Sequence, residues 1–311
     1  MSIKNMGFEP SATTIVTMHL SGSSSVKLIL MAKGKVKLTD QDLATRNVIQ
    51  GAILEAKAHM TFTTGYPELT EKNLFSHKAL LKAARDHGIT SIEKKIQADN
   101  AYVSSLASLV EARVPLFHGD LKDEACSQVA AYLHLGSANT SIASTQALLV
   151  NHCYHYFMKF DENNAAKPVP SKPYMGNLMV HLMKGHYFNG SKSVSIIFAK
   201  KFADLTQNKA QQPEVTIPMV ALTATSVYAA LFWKAHGSPP KFNFTGNQFS
   251  DVYFFHIKFL ENLKAKSPEK FHKLMPDLFT EIHDLALVNN PTTNAEASAL
   301  AFLDLDGMDE D

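Results

Sequence analysis

The sequence predicts an all-α protein, a single multi-helix globular domain, and three observations carry that reading. From residue 39 onward apolar side chains recur every three or four positions rather than every second one, which is the period of a helix. Helix punctuation falls at the ends of those stretches. SPEK at 267–270 offers Ser267 as a cap, Pro268 at the first helical position and Glu269 at the positive helix end, while Gly88 suits the left-handed residue after a helix. No repeat of 20–50 residues is visible, which argues against a solenoid.

Taken in order, residues 12–20 (ATTIVTMHL) and 26–32 (VKLILMA) are rich in β-branched and aliphatic types around SGSSS. Residues 1–38 therefore read as a short N-terminal β-hairpin or a flexible arm. The helical domain is expected over 39–289. Its first helix starts near Thr39 or Asp40 and is broken by Gly65 and Pro67; a second spans 71–88. In 99–113 Tyr102, Val103, Leu106, Leu109, Val110 and Arg113 form one stripe. Pro115 and Gly119 are expected to interrupt before a helix through DEACSQVAAYLHL, and Asn139 to cap the next, SIASTQALLV. Residues 161–173, DENNAAKPVPSKP, read as a proline-rich loop and the best internal boundary. Further helices are expected at about 174–188, 193–205, 217–234 and 247–266, then one from Pro268 that kinks or restarts at Pro276. Residues 290–311 read as a flexible acidic tail.

Composition narrows the function classes. At 311 residues and 45% hydrophobic content the chain has material for a real core, so wholesale disorder is excluded. Five of its 29 acids lie in the last eight residues, DLDGMDED, which leaves 24 against 30 basic residues and a mildly basic body. Only Arg46, Arg85 and Arg113 are arginines, so bidentate reading of bases gains little support, and lysine contacts to a polyanion would be weak and salt-sensitive. Cys126 and Cys153 do not make a disulfide framework, and the N-terminus lacks the pattern of a secretory leader. An intracellular protein, cytoplasmic or nuclear and without a membrane segment, is expected. The apolar run 217–233 is short for a bilayer span and reads as a buried central helix.

One stretch invites chemistry. NHCYHYFMKF at 151–160 holds His152, Cys153 and His155, a weak candidate metal set that neither a helix nor a strand aims at one point. Packing is the favoured reading, and no cofactor or catalytic residue is assigned. His181, His186, His256 and His272 fall on expected helices without a ligand spacing and read as satisfied or exposed side chains. No Walker loop is present, and DLDG ends before a calcium loop could close. Two features remain. Lys258, Lys264, Lys266, Lys270 and Lys273 gather around one helix junction as a candidate polyanion patch. Phe302, Leu303, Asp304, Leu305 and Asp306 alternate apolar and acidic groups as a candidate docking segment.

The stretches NLFSHKALLKAARDHG, SKPYMGNLMVHLMKGHYF, IPMVALTATSVYAALFWKAHG and FTGNQFSDVYFFHIKFLENLKAKSPEKFHKLMPDLF, in that order, resemble a family of basidiomycete fungi. It is a domain-of-unknown-function family, numbered six-five-three-two in its series. The likeness runs over about residues 72–283. It implies a fungal, mostly helical, intracellular protein and supplies no catalytic or binding residue. Pro276 departs from the uninterrupted helix expected there. Together these readings favour a non-catalytic domain working through protein partners, with a nucleic-acid-associated protein as the alternative and the oligomeric state open.

Overall fold

The computed structural model describes residues 15–16, 28–29, 36–66, 69–136, 138–203, 208 and 212–288. The acidic tail, including the segment 302–306, lies outside the described residues. The chain divides into two compact units, one made of residues 1–59 and 67–117, the other of residues 60–66 and 118–311.

The first unit opens with strands β1 (Ile15–Val16) and β2 (Leu28–Ile29), which pair antiparallel with Ile15 opposite Ile29 and Val16 opposite Leu28. So short a ladder is marginal alone. The buried Gln41 side chain extends it: its Nε2 donates to the carbonyls of Ile29 and Lys37, at 2.9 and 3.0 Å, and its Oε1 accepts from the Ile29 N–H. Helix α1 (Leu43–Phe62) follows, then α2 (Leu69–Asp86), α3 (Thr90–Ala98), α4 (Asn100–Glu111) and the start of α5 (Val114–Tyr132). Asp42 opens α1, its carboxylate accepting from the Thr45 N–H and hydroxyl, and Asp99 caps α4 by accepting from the Tyr102 N–H at 2.9 Å.

Gly88, at φ +66°, ends α2 as expected: its N–H reaches the Arg85 carbonyl and that of Ile89 reaches Ala84, the paired bonds of a Schellman turn. The core is aliphatic and small, with Val48, Ile49, Ala52, Leu80, Ala83, Ala84, Ile92, Leu106 and Val110 buried. Gly51 permits the closest helix approach, since a Cβ there would lie 3.0 Å from that of Ala83. Pro115 does not interrupt a helix. It sits in the first turn of α5, where a missing N–H costs nothing.

In the second unit α6 (Ala138–Leu149) begins one residue before Asn139, so that residue lies in its first turn rather than at the cap position. A 3₁₀ segment, Val150–His155, then leads into β3 (Tyr156–Phe160), which pairs antiparallel with β4 (Ala166–Pro173). This corrects the expected proline-rich loop. Pro168, Pro170 and Pro173 lie in an edge strand, where a residue without an N–H is tolerated, and the turn is built by Asp161, whose carboxylate accepts from the N–H groups of Asn163 and Ala165.

Helices α7 (Asn177–Tyr187), α8 (Val194–Ile197), α9 (Ala199–Ala203), α10 (Ile217–Ala235), α11 (Gly246–Lys266) and α12 (Pro268–Val288) complete the fold. The helix α10 is long and apolar enough to cross a membrane by composition, yet 67% of that stretch is buried within the fold, against α6, α7 and α11. Its hydroxyls are absorbed by its own backbone: Thr223, Thr225 and Ser226 donate to the carbonyls of Met219, Ala221 and Thr223. The last helix continues through Pro276 to Val288 rather than restarting.

Candidate functional site

His152, Cys153 and His155 take neither geometry weighed for them: they lie in the 3₁₀ segment, and only Tyr156–Phe160 form a strand. Asn151 and His152 both adopt left-handed backbone, φ 52° and 54°, inside the 3₁₀ segment, and Tyr174 just beyond β4 does so at φ 61°. Each such residue without a glycine costs roughly 1–3 kcal/mol. Among the described residues, three of the six left-handed non-glycine positions thus sit at the two ends of one hairpin, and a buried polar cluster lies in the same place.

The Tyr154 hydroxyl lies 2.6 Å from Nε2 of His256, and the Tyr174 hydroxyl lies 3.0 Å from its Nδ1. One imidazole on α11 thus joins the side chains that flank the hairpin. Tyr154, Tyr174 and His256 are all fully buried. Burial, with the nearby His155 and His152 rings, holds His256 well below the usual histidine range, and burial raises both tyrosines well above theirs. At neutral pH the three groups are uncharged.

Hydrogen-bond satisfaction assigns the protons. Nδ1 of His152 is 3.4 Å from the Tyr154 hydroxyl, the second partner that hydroxyl has. If Tyr174 donates to Nδ1 of His256, then Nε2–H donates to Tyr154, and Tyr154 donates on towards His152. Every hydroxyl proton then has an acceptor. The opposite direction leaves the buried Tyr174 proton without one among its described contacts, so the first direction is favoured. The chain runs from the core to His152, which is half-buried and stacked on Phe255 at 3.9 Å between ring centres.

His155 behaves differently. It is 1% exposed and packs face-on against Tyr174 and edge-on to Phe259 and His256, with ring centres at 4.8, 5.2 and 5.5 Å. Neither of its ring nitrogens makes a hydrogen bond of good geometry, although the His152 carbonyl is near enough to favour the charged ring slightly. Burial dominates and pushes its pKa down to about 4. Beside this cluster lies a cavity of about 30 Å³, lined by Tyr132, Tyr154, Tyr156, Met158, Asn177 and Val227 among others, which is room for one or two waters.

Of the weak metal candidates, His152 joins the hydrogen-bond chain and His155 enters the aromatic pack, while Cys153 is a half-buried free thiol. No group of three or more His, Cys, Asp or Glu side chains among the described residues is arranged to hold a metal. The lysine patch is only partly available. Lys264 leans over the Phe271 ring at 5.6 Å, whereas Lys258, Lys266, Lys270 and Lys273 are exposed, Lys273 pairing with Asp277 at 3.1 Å. Sequence reasoning missed Tyr154, Tyr174 and His256 as a set, because 82 and 102 residues separate the partners and no local spacing announces them. His272 is also engaged, its Nδ1 standing 2.8 Å from the Glu214 carboxylate.

The profile of a family described as a domain of unknown function (DUF6532) matches residues 51–263. The chain belongs to that family. The DUF6532 match begins before the resemblance traced in the sequence and ends within α11, so it takes in Tyr154, Tyr174 and His256 but not α12. No curated protein and no solved structure matches the chain.

Proposed function

We propose that this DUF6532 protein is a non-catalytic, intracellular helical module that acts through protein contacts. The observation that carries the reading is on α8, where the adjacent Ile196 and Ile197 stand 61% and 43% exposed. Two neighbouring exposed aliphatic side chains form a small apolar patch that a protein partner would cover. Several polar groups of the second unit, by contrast, are directed at one another: Tyr154 and Tyr174 at His256, His272 at Glu214, and the Tyr253 hydroxyl at the Gly65 N–H. Two free cysteines accord with a reducing compartment.

The test is a photo-crosslinking residue placed at 196 in the host cell, with Ile197→Asp as the control surface. A defined crosslinked protein that disappears in the variant, with the circular dichroism unchanged, supports the reading. An identical crosslinking pattern in both chains refutes it for α8. Removing residues 300–311 asks the same of the tail, and unchanged partners would exclude Phe302, Leu303 and Leu305 as a docking segment.

The exposed Lys258, Lys266 and Lys270, on either side of the Ser267 turn, favour nucleic acid as a second reading. Binding to duplex DNA or RNA that weakens steeply between two salt concentrations would support it. No binding at low salt would end it.

A further inference from the structure

The geometry around His256 points beyond a contact module. We propose that His256 is a proton-operated latch: its neutral imidazole fastens the two ends of the β3–β4 hairpin to α11, and uptake of a proton releases them.

The argument begins with donors and acceptors. A neutral imidazole offers one N–H and one bare nitrogen, and here each meets a tyrosine hydroxyl, Tyr154 before β3 and Tyr174 after β4. A protonated ring offers two N–H groups. Tyr174 would then have to accept instead of donate, and its own buried proton would lose the nitrogen that holds it.

The neighbours make the charge harder still to hold. From the 3₁₀ segment His152 and His155 face the ring, with ring centres 5.6 and 5.5 Å away; the end of β4 presents Tyr174, and α11 itself presents Phe255. Tyr228 of α10 packs on Tyr154 and His152. The charges acting on His256 come from His155 and His152, so the groups around it are neutral or become positive together.

The hairpin ends also carry left-handed backbone, at Asn151, His152 and Tyr174. Release lets those residues relax, which lowers the cost of opening. Linkage fixes the sign. The closed state excludes protons that an opened hairpin takes up near the ordinary histidine pKa of about 6.5, so closure is favoured above that pH and weakens below it. Each histidine set free raises the opened population about tenfold per pH unit: a slope of one proton for His256 alone, two if His155 is released with it.

The experiment is hydrogen exchange on the full chain between pH 7.5 and 5.0, corrected for the intrinsic pH dependence of exchange, comparing peptides from 154–174 with peptides from α10. The expected result is opening of the hairpin below about pH 6.5 with a slope of one to two protons, while α10 stays protected. In a chain carrying Tyr154→Phe, His256→Phe and Tyr174→Phe together, which replaces the polar trio by apolar rings of similar shape, the slope drops by one proton. Hairpin protection that does not change with pH, loss of α10 protection in step with the hairpin, or an unaltered slope in the variant overturns the proposal. If the triple variant does not fold, the His256 ring resonances of the natural chain decide: a ring still neutral where the hairpin has opened overturns the latch, and one that titrates with the opening upholds it.

Discussion

The two compact units are both helical, but they are stabilised by different chemistry. The first packs mainly aliphatic side chains, Val48, Ile49, Ala52, Leu80, Ala83, Ile92, Leu106 and Val110, with the ring of Tyr102, and its alanines let helices approach closely. Burial pushes the Tyr102 hydroxyl up to about 12, so it stays neutral between pH 5 and pH 8. The second buries Tyr154, His155, Tyr174, Tyr187, Tyr253 and His256. An aliphatic core is limited by how well it fills space, and its stability is indifferent to pH. A core of hydroxyls and imidazoles is limited by whether each donor finds an acceptor, and it answers to protons. The difference teaches where to look for regulation in this chain.

The largest expected effect breaks the first unit. Leu106→Ala, at a fully buried position, should cost about 2–5 kcal/mol in denaturant unfolding, with the same loss at pH 7.5 and pH 5.5. A pH-dependent loss would contradict the contrast between the units.

Next comes His155→Phe. In the natural chain His155 titrates at about 4 when folded against about 6.5 when unfolded, so the unfolded chain binds the proton first. Stability from this residue is present above pH 6.5 and falls away towards pH 4, by about 3 kcal/mol. The phenylalanine variant should lose correspondingly less over that window in urea titrations at stepped pH. Equal acid sensitivity in both chains would remove His155 from the account.

Tyr154→Phe is milder. It leaves Nε2 of His256 without its partner at 2.6 Å, a loss of about 1–3 kcal/mol at pH 7.5, seen as a lowered urea midpoint. The smallest effect is on the surface of the first unit. Lys82 bridges Glu55 and Asp86 at 2.7 and 2.6 Å with 53% of its side chain exposed, and Lys82→Met should change stability by less than about 1 kcal/mol, less again in high salt.

Much of the first unit was legible in the sequence. The stripe from Tyr102 to Val110 and the stop at Gly88 are local statements, three or four residues apart, and helix geometry converts them directly into a face and an end. The buried character of 217–233 was legible for the same reason. The misreadings lie where pairing is not local. Residues 161–173 carry three prolines and read as a loop, yet Ala166–Pro173 become strand β4 because Tyr156–Phe160 lies alongside to accept them, with register fixed from Phe157 opposite Val169 to Phe160 opposite Ala166. Pro276 reads as a kink or a restart at Asp277, and of these the restart does not occur: α12 runs through it with Met275 and Pro276 both buried. Tertiary packing outweighs the single hydrogen bond that proline removes.

What the sequence by itself determined is the helical class, most of the helix ends and the family, since periodicity, caps and family likeness are written in neighbouring residues. What only the tertiary structure decided is the meaning of NHCYHYFMKF. His152, Cys153 and His155 stand together in the chain, but two left-handed residues turn the backbone between α6 and β3, and both histidine rings end up facing His256. Tyr154, passed over between them, meets Tyr174 and His256 instead. A hydrogen-bond chain across 102 residues has no local signature; it exists only once packing has excluded water and left the three polar groups to partner one another, with His152 beyond Tyr154.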